Sequence, residues 1–370
     1  MDGFTRFTLS GDTGGGGRPP PKSPAEVPAP KVGSDFAELS RRINSAGLMR
    51  HRPRYYTIRF LLVGTVFAGS WAAFAIIGDT WLQMFTAVFM ALVSAQVALL
   101  GHDLAHRQVF RSRSTSERVG WLTGNLANGM GYGWWNDKHN RHHANPNHEE
   151  LDPDVSPGLF VWSKRQAGLA RGIGRLFGRY QAQLFFPILL LEGINLNWSG
   201  IKSVVKPGLK NRAVEAALLA VHFTAYIAAV FLVLSPGKAV VFLLVHKAVW
   251  GLYMGSVFAP NHKGMPTLVG KHQLDFLRKQ VLTSRNVKGG RFIDVALGGL
   301  NYQIEHHLFP GMPSVHLGRA QAIVRDFCAE KAIPYHETGL IRSWREVLTE
   351  LHRNGEPLRR PRGRTHLPTG

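Results

Sequence analysis

Cysteine is nearly absent, with Cys328 the single one in 370 residues. An internal disulfide is therefore excluded, the compartment bathing the soluble face is expected to be reducing, and the lone thiol is expected to be packed and inert. Acidic residues are scarce too: Asp+Glu 24 stand against Lys+Arg 44, a formal charge of +20 at pH 7. Such an excess suits nucleic acid, anionic lipid or an acidic partner. No nucleic-acid motif accompanies it, and the basic residues flank apolar runs instead of gathering in one patch, so a membrane surface is the expected partner and nucleic acid is not. The start lacks a basic stretch followed by an apolar core, so no secretory signal is expected. The mean hydropathy of −0.07 would fit a soluble protein, but polar ends and a basic middle dilute long apolar runs.

Those runs organise the chain. Residues 1–35, rich in Gly and Pro and without apolar pattern, read as a disordered tail. A short helix around 36–54, carrying Arg41, Arg42, Arg50, Arg52 and Arg54, is expected to lead into the first run. Runs at 58–78 and 81–100 are each long enough to cross a bilayer core, which takes about 20 helical residues, and Asp79-Thr80 between them leaves room only for a tight hairpin. A second hairpin is expected at 213–234 and 239–260 around Ser235-Pro236-Gly237-Lys238. Arg107, Arg111, Arg113, Lys206, Lys210, Arg212 and Lys263 lie outside the hairpins, whereas the two links hold only Lys238. By the positive-inside rule both termini and the long middle loop are cytoplasmic. Within that loop, a helix over 158–186 would turn Arg171, Arg175 and Arg179 one way and Leu169, Ile173, Leu176, Phe177, Tyr180 and Leu184 the other, as an interfacial helix does. The run 184–191, interrupted by Pro187, is expected to be interfacial or re-entrant. Residues 313–353 pattern as amphipathic helices, and 355–370 as a basic disordered tail. The expected fold is an all-α integral membrane protein: four transmembrane helices in two hairpins with a helical cytoplasmic cap, one domain over 36–354.

Three groups stand out among the 17 histidines: His102 and His106 in HDLAH, His139, His142 and His143 in HNRHH, and Gln303, His306 and His307 in QIEHH. Helix positions i, i+3 and i+4 share a face, so each group would present its side chains to one side. All three groups fall on the same expected side of the membrane. Imidazole suits iron, zinc or copper, and this many exceeds what one tetrahedral ion uses, so two metal ions are expected. Asp103, Asp137, Glu149, Glu150, Asp152, Asp154 and Glu305 stand close by as partners for the second ring nitrogens. A dinuclear centre at a membrane surface suits oxidation of an apolar, unactivated substrate, for which no side chain suffices. His222 and His246, inside apolar runs, read as bonded to neighbouring helices, and His148 and His316 as bystanders.

HDLAH, HNRHH and QIEHHLFP, in this order and with two hairpins interleaved, resemble the three histidine boxes of the membrane-bound fatty acid desaturases over about residues 55–325. NHEELDPDV after the second box fits the same pattern. A Gln opening the third box is similar to the front-end and bacterial linoleoyl-CoA-desaturase-like members. The resemblance implies a non-haem di-iron centre that uses O2 and two electrons to place a cis double bond in a fatty acyl chain, carried as acyl-CoA or acyl-lipid. It makes His102, His106, His139, His142, His143, His306 and His307 iron ligands and adds His262, from FAPNHKG at the end of the fourth span. It puts Gln303 at a ligand position, where a neutral amide either ligates or acts through a water, and gives Asn261 a metal-bound water to hold. Trp134 and Trp135 would line the acyl path or pack at the interface. The HPGG signature of the cytochrome domain fused to many front-end members does not occur, and the region before the first run is too short and polar for that domain. Electrons are then expected from a separate ferredoxin or flavin reductase docking on the basic face; the same charge suits the phosphates of an acyl-CoA.

A hydroxylase, ketolase or conjugase on the same scaffold would share every box. A metal transporter would place its ligands inside the spans near mid-bilayer, and a zinc hydrolase would use fewer ligands with a carboxylate base.

Overall fold

Helix α1 (Ser34–Ser45) leads through a turn to α2 (Pro53–Ile77), and α3 (Gln83–Ala105) runs back beside it. The computed structural model describes residues 34–359; most of the two expected tails, 1–33 and 360–370, lies outside these residues. Ser34 and Asp35 open α1, so that tail reading stops short of them. The helix expected over 36–54 ends instead at Ser45, where Gly47 at φ +69° turns the chain. Pro53 then starts α2, at a position where its missing N–H costs nothing.

α3 continues to Ala105, so His102 lies on the last turn of the span and not beyond it. After α3 come α4 (Arg113–Trp121), a π-helical turn at Leu122–Ala127, and α5 (Tyr132–Ala144). The single amphipathic helix expected over 158–186 is three: α6 (Lys164–Leu169), α7 (Gly172–Arg179) and α8 (Gln181–Leu189). Ala170 and Arg171 are extended and Gly172 sits at φ +51°, which breaks the first junction. Leu169, Ile173 and Leu176 still face outward, exposed. α9 (Glu192–Val205) follows α8 at a bend of 68°, so the run interrupted by Pro187 is the first half of a broken span or re-entrant pair.

α10 (Arg212–Val233) and α11 (Pro236–His262) complete the set of four helices among the described residues, of 25, 23, 22 and 27 residues, that are long and apolar enough to cross a membrane. The two hairpin turns meet: Asp79 Oδ1 accepts from Ser235 N at 3.0 Å and pairs with Lys238 at 3.2 Å. The opposite ends of all four helices therefore gather at one level, and the cap is built there. α3 is the most enclosed span and α2 the least, 67% against 11% buried. α9 and α11 touch backbone to backbone, because a Cβ on Gly251 would fall 2.3 Å from the Gly193 nitrogen.

The cap holds α12 (Phe276–Leu282), α13 (Arg291–Ala296), α14 (Gln303–Leu308), α15 (Leu317–Glu330), α16 (Leu340–Asn354) and α17 (Glu356–Arg359). α17 lies in the stretch assigned to the C-terminal tail. Two short strands, β1 (Asn286–Lys288) and β2 (Glu337–Gly339), pair in parallel with Asn286 opposite Glu337. Leu39 and Ile43 of α1 join Val281, Ile304, Leu308, Val324 and Phe327 in the cap's core. Cys328 is buried there, its thiol pushed up to about 12 by burial, then by the Glu305 charge, which leaves it inert.

Candidate metal centre

Four segments deliver imidazoles to one place: the end of α3, α5, the end of α11, and α14. α14 is only six residues long and is held at its start by Asn286, whose Oδ1 accepts from Ile304 N at 2.9 Å. The ring nitrogens fall into two clusters, each with its members within 4.8 Å of one another. The first joins His102, His106, His139, His143 and His306; the second joins His142, His262 and His307.

This division corrects the expectation that each box points one way. α5 lies between the clusters, so His139 and His143, one turn apart, serve the first while His142 serves the second. Likewise His306 and His307 part to opposite sides. The clusters abut, with the rings of His143 and His307 stacked at 4.2 Å and 18°.

Nitrogen faces nitrogen throughout. Nε2 separations are 2.8 Å for His106 and His139, 3.1 Å for His139 and His143, 3.1 Å for His143 and His306, and 3.3 Å for His142 and His262. Two nitrogens bound at right angles to one ion, each about 2.1 Å from it, would stand about 3.0 Å apart. In the second cluster the outer nitrogens are all engaged: His142 Nδ1 donates to Asp152 at 2.9 Å, His307 Nδ1 to Gln280 Oε1 at 2.9 Å, and His262 Nδ1 to the Thr283 carbonyl at 3.1 Å. A neutral ring has one N–H, so lone pairs converge on the inside; Gln303 Nε2 at 2.9 Å can donate to that of His262, which leaves two for a cation. His307 Nε2, and His102 Nε2 in the first cluster, are buried with no hydrogen-bond partner among the described residues. The donor set fits metal.

Burial holds His139, His143, His306 and His307 well below the ordinary histidine pKa, and neighbouring imidazoles add to it. They stay neutral, which is the ligating form. Of the expected acidic partners, Asp152 bonds His142, and Asp103 faces His102 Nδ1 at 3.5 Å while pairing with Arg59 at 2.8 Å. Asp154 lies 3.6 Å from His142 Nδ1; burial would raise its pKa, but Lys138, His142 and Lys263 hold it below the usual range. Glu305 turns away, bonded to Asn286 at 2.6 Å and Tyr335 at 2.8 Å, its carboxyl pushed up to about 7 by burial. Asp137, Glu149 and Glu150 pair with Arg141 and Arg165.

Gln303 Nε2 lies 2.9 Å from His262 Nε2, beside the second cluster, and its Oε1 accepts from Asn261 at 3.2 Å. Trp135 stacks on His139, while Trp134 packs against an alanine- and tryptophan-rich core. His222 bonds the Leu126 carbonyl, His246 bonds Tyr226, His148 bonds the Gly270 carbonyl, and His316 accepts from Arg52, all outside the clusters. Gln280, Thr283 and Arg59 are the partners that spacing did not reveal; none belongs to a recurring motif, and each arrives from a distant segment.

The fatty acid desaturase family profile matches residues 79–339. The chain is 32% identical to an acyl-lipid (9-3)-desaturase of Physcomitrium patens, over 88% of this chain and 63% of that protein. It is 28% identical to a Delta(6)-fatty-acid desaturase of Caenorhabditis elegans, over 82% of this chain and 71% of the relative. Against a Delta(8)-fatty-acid desaturase of Helianthus annuus it is 26% identical, over 82% and 69%. The chain thus spans under two thirds of the first of these relatives.

Proposed function

The chain belongs to the fatty acid desaturase family, and from that premise we propose that it introduces a cis double bond into a fatty acyl chain, using O2 and two electrons. The observation that supports this reading best is the pair of abutting clusters of buried and half-buried imidazoles whose ring nitrogens face one another. We assign His102, His106, His139, His143 and His306 to one iron and His142, His262 and His307 to the other, with Gln303 beside the second. Bound irons supply the oxidising power that side chains lack.

The chain's own part is positioning. Asp152, Gln280 and the Thr283 carbonyl fix the tautomers of the second cluster, and burial of all three of its imidazoles, with His102, His139 and His306 of the first, limits access of bulk water. The basic residues that flank the apolar helices support a cytoplasmic placement of the centre and both termini. They also suit docking of an acidic ferredoxin or flavin reductase as electron donor.

Expression in a host with a compatible reductase, followed by mass spectrometry of its fatty acids, tests the proposal. A new unsaturated chain is expected. An oxygenated chain would point to a hydroxylase, and bound zinc with full activity under anaerobic conditions would sink the oxidative reading.

A further inference from the structure

A cavity of about 10 Å³, room for one water-sized particle, lies among α2, α3, α10 and α11 and shares no residue with the histidine clusters. Ser94, His222 and Lys247 on its wall stand near the middle of α3, α10 and α11, where the spans are apolar. The wall itself is polar. Asn128 reaches it from the loop before α5, a segment held against α10 because His222 Nδ1 donates to the Leu126 carbonyl at 2.7 Å. The side-chain amide of Asn128, Trp250 Nε1 and His222 Nε2 are all buried and have no hydrogen-bond partner among the described residues. Buried polar groups find partners almost without exception. Three left over around one cavity therefore point to a particle that sits between them.

Lys247 decides its chemistry. The ammonium stands over the rings of Tyr226 at 4.9 Å and Trp250 at 5.2 Å, and no carboxylate pairs with it among the described residues. A charge at that depth of a span needs compensation, and aromatic faces supply only part of it. Ammonium, indole N–H and amide N–H are all donors. The one imidazole lone pair, on His222 Nε2, lies against Gly129, which at φ +65° has no Cβ to meet it; a Cβ there would come within 2.6 Å. A water would engage the donors but leave the lysine charge unbalanced, whereas an anion does both. The volume admits a monatomic ion and excludes carboxylate, sulfate and phosphate.

We infer that this cavity is a halide site, filled by chloride and held by Lys247 Nζ, Trp250 Nε1 and the Asn128 amide. The ion joins the four spans to the segment 122–131, from which α5 rises to the metal centre. The inference is independent of the reaction carried out there.

The test takes the full chain, purified in gluconate without halide, and follows its thermal midpoint during titration with sodium chloride, bromide or sulfate at constant ionic strength. Chloride and bromide should raise the midpoint by about 5 °C at about a hundredfold excess over half-saturation, and sulfate should not. Chloride trapped during folding would mask that titration, so the desalted protein is also denatured and its released chloride counted by ion chromatography; about one per chain is then expected. Lys247→Met keeps the length of the side chain without its charge and should abolish both readouts while metal content stays at the wild-type level. Trp250→Phe removes one N–H and should raise the half-saturating chloride about tenfold, or release the trapped ion. If Lys247→Met does not fold, the wild-type readouts and Trp250→Phe still decide. A midpoint indifferent to halide together with no released chloride would mean that the cavity takes water only, and would overturn the inference. Equal stabilisation by sulfate, or a halide response that survives Lys247→Met, would overturn it as well.

Discussion

His142 donates from Nδ1 to Asp152 at 2.9 Å, and the same carboxylate is fixed by the backbone N–H groups of Asn147 at 2.8 Å and Asp154 at 2.9 Å. A buried carboxylate so held orients the imidazole and strengthens its other nitrogen as a donor to metal. Asp152→Asn keeps the shape but removes the charge, and the amide can turn an N–H toward His142. The expected outcome is a loss of about 10–100-fold in metal affinity at the second cluster, read by titration of the metal-free protein. Affinity equal to wild type would mean that the carboxylate serves only the Asn147 turn.

The split of neighbouring histidines between clusters makes a stoichiometric prediction. His142→Ala should lower bound metal from about two ions per chain to about one and abolish product, with the protein still in the membrane, since a site that loses a ligand binds far more weakly. His306→Ala should remove the other ion. Elemental analysis of each purified variant checks both. Loss of both ions from either variant would show one interdependent centre and not two separable sites.

That the histidine groups meet was legible beforehand, because the apolar runs specify which helix ends lie together; that each group shares one face was not right, since His142 and His307 part from their neighbours. That α5 would lie between two clusters was not legible, since a local repeat holds no information about what packs on either side of it. The breaks at Ala170–Gly172 and Tyr180 were signalled only by Gly172, Gly174 and Gly178, which weaken a helix: the apolar periodicity continues across them, and the backbone shows where the chain turns. Partners such as Gln280 for His307 are set by tertiary packing across 27 positions, with no motif to mark them.

Backbone contact between α9 and α11 predicts an asymmetric response to one methyl group. Gly251→Ala would set a Cβ 2.3 Å from the Gly193 nitrogen and 2.8 Å from the Leu189 carbonyl oxygen, and neither backbone atom can yield without moving a helix. Overpacking of this kind costs about 1–3 kcal/mol, so the thermal midpoint should fall. Gly69→Ala on α2 meets nothing within 4 Å and should leave stability unchanged or raise it by up to about 1 kcal/mol through helix propensity. Equal midpoints for the two variants would refute the close approach.

Gln303 offers an amide where its neighbours offer imidazoles, and its environment predicts what that amide does. Its Oε1 accepts from Asn261 Nδ2 at 3.2 Å and its Nε2 lies 2.9 Å from His262 Nε2. A half-turn about the last side-chain bond would aim the oxygen at the second cluster, at the cost of facing Gln303 Nε2 with Asn261 Nδ2, a donor fixed by the Val257 and Leu300 carbonyls at 3.0 Å. With three imidazoles in that cluster against five in the first, we propose that the amide adds to the donor set, turning toward a bound ion or acting through a water. Gln303→Leu should therefore weaken metal binding at the second cluster about tenfold or more, whereas Gln303→His should restore it. Asn261→Ala, which removes the amide's anchor but no donor, should lose less than Gln303→Leu. Metal titration of the three variants against wild type reads the order directly, and a Leu variant that binds both ions as tightly as wild type would remove Gln303 from the centre.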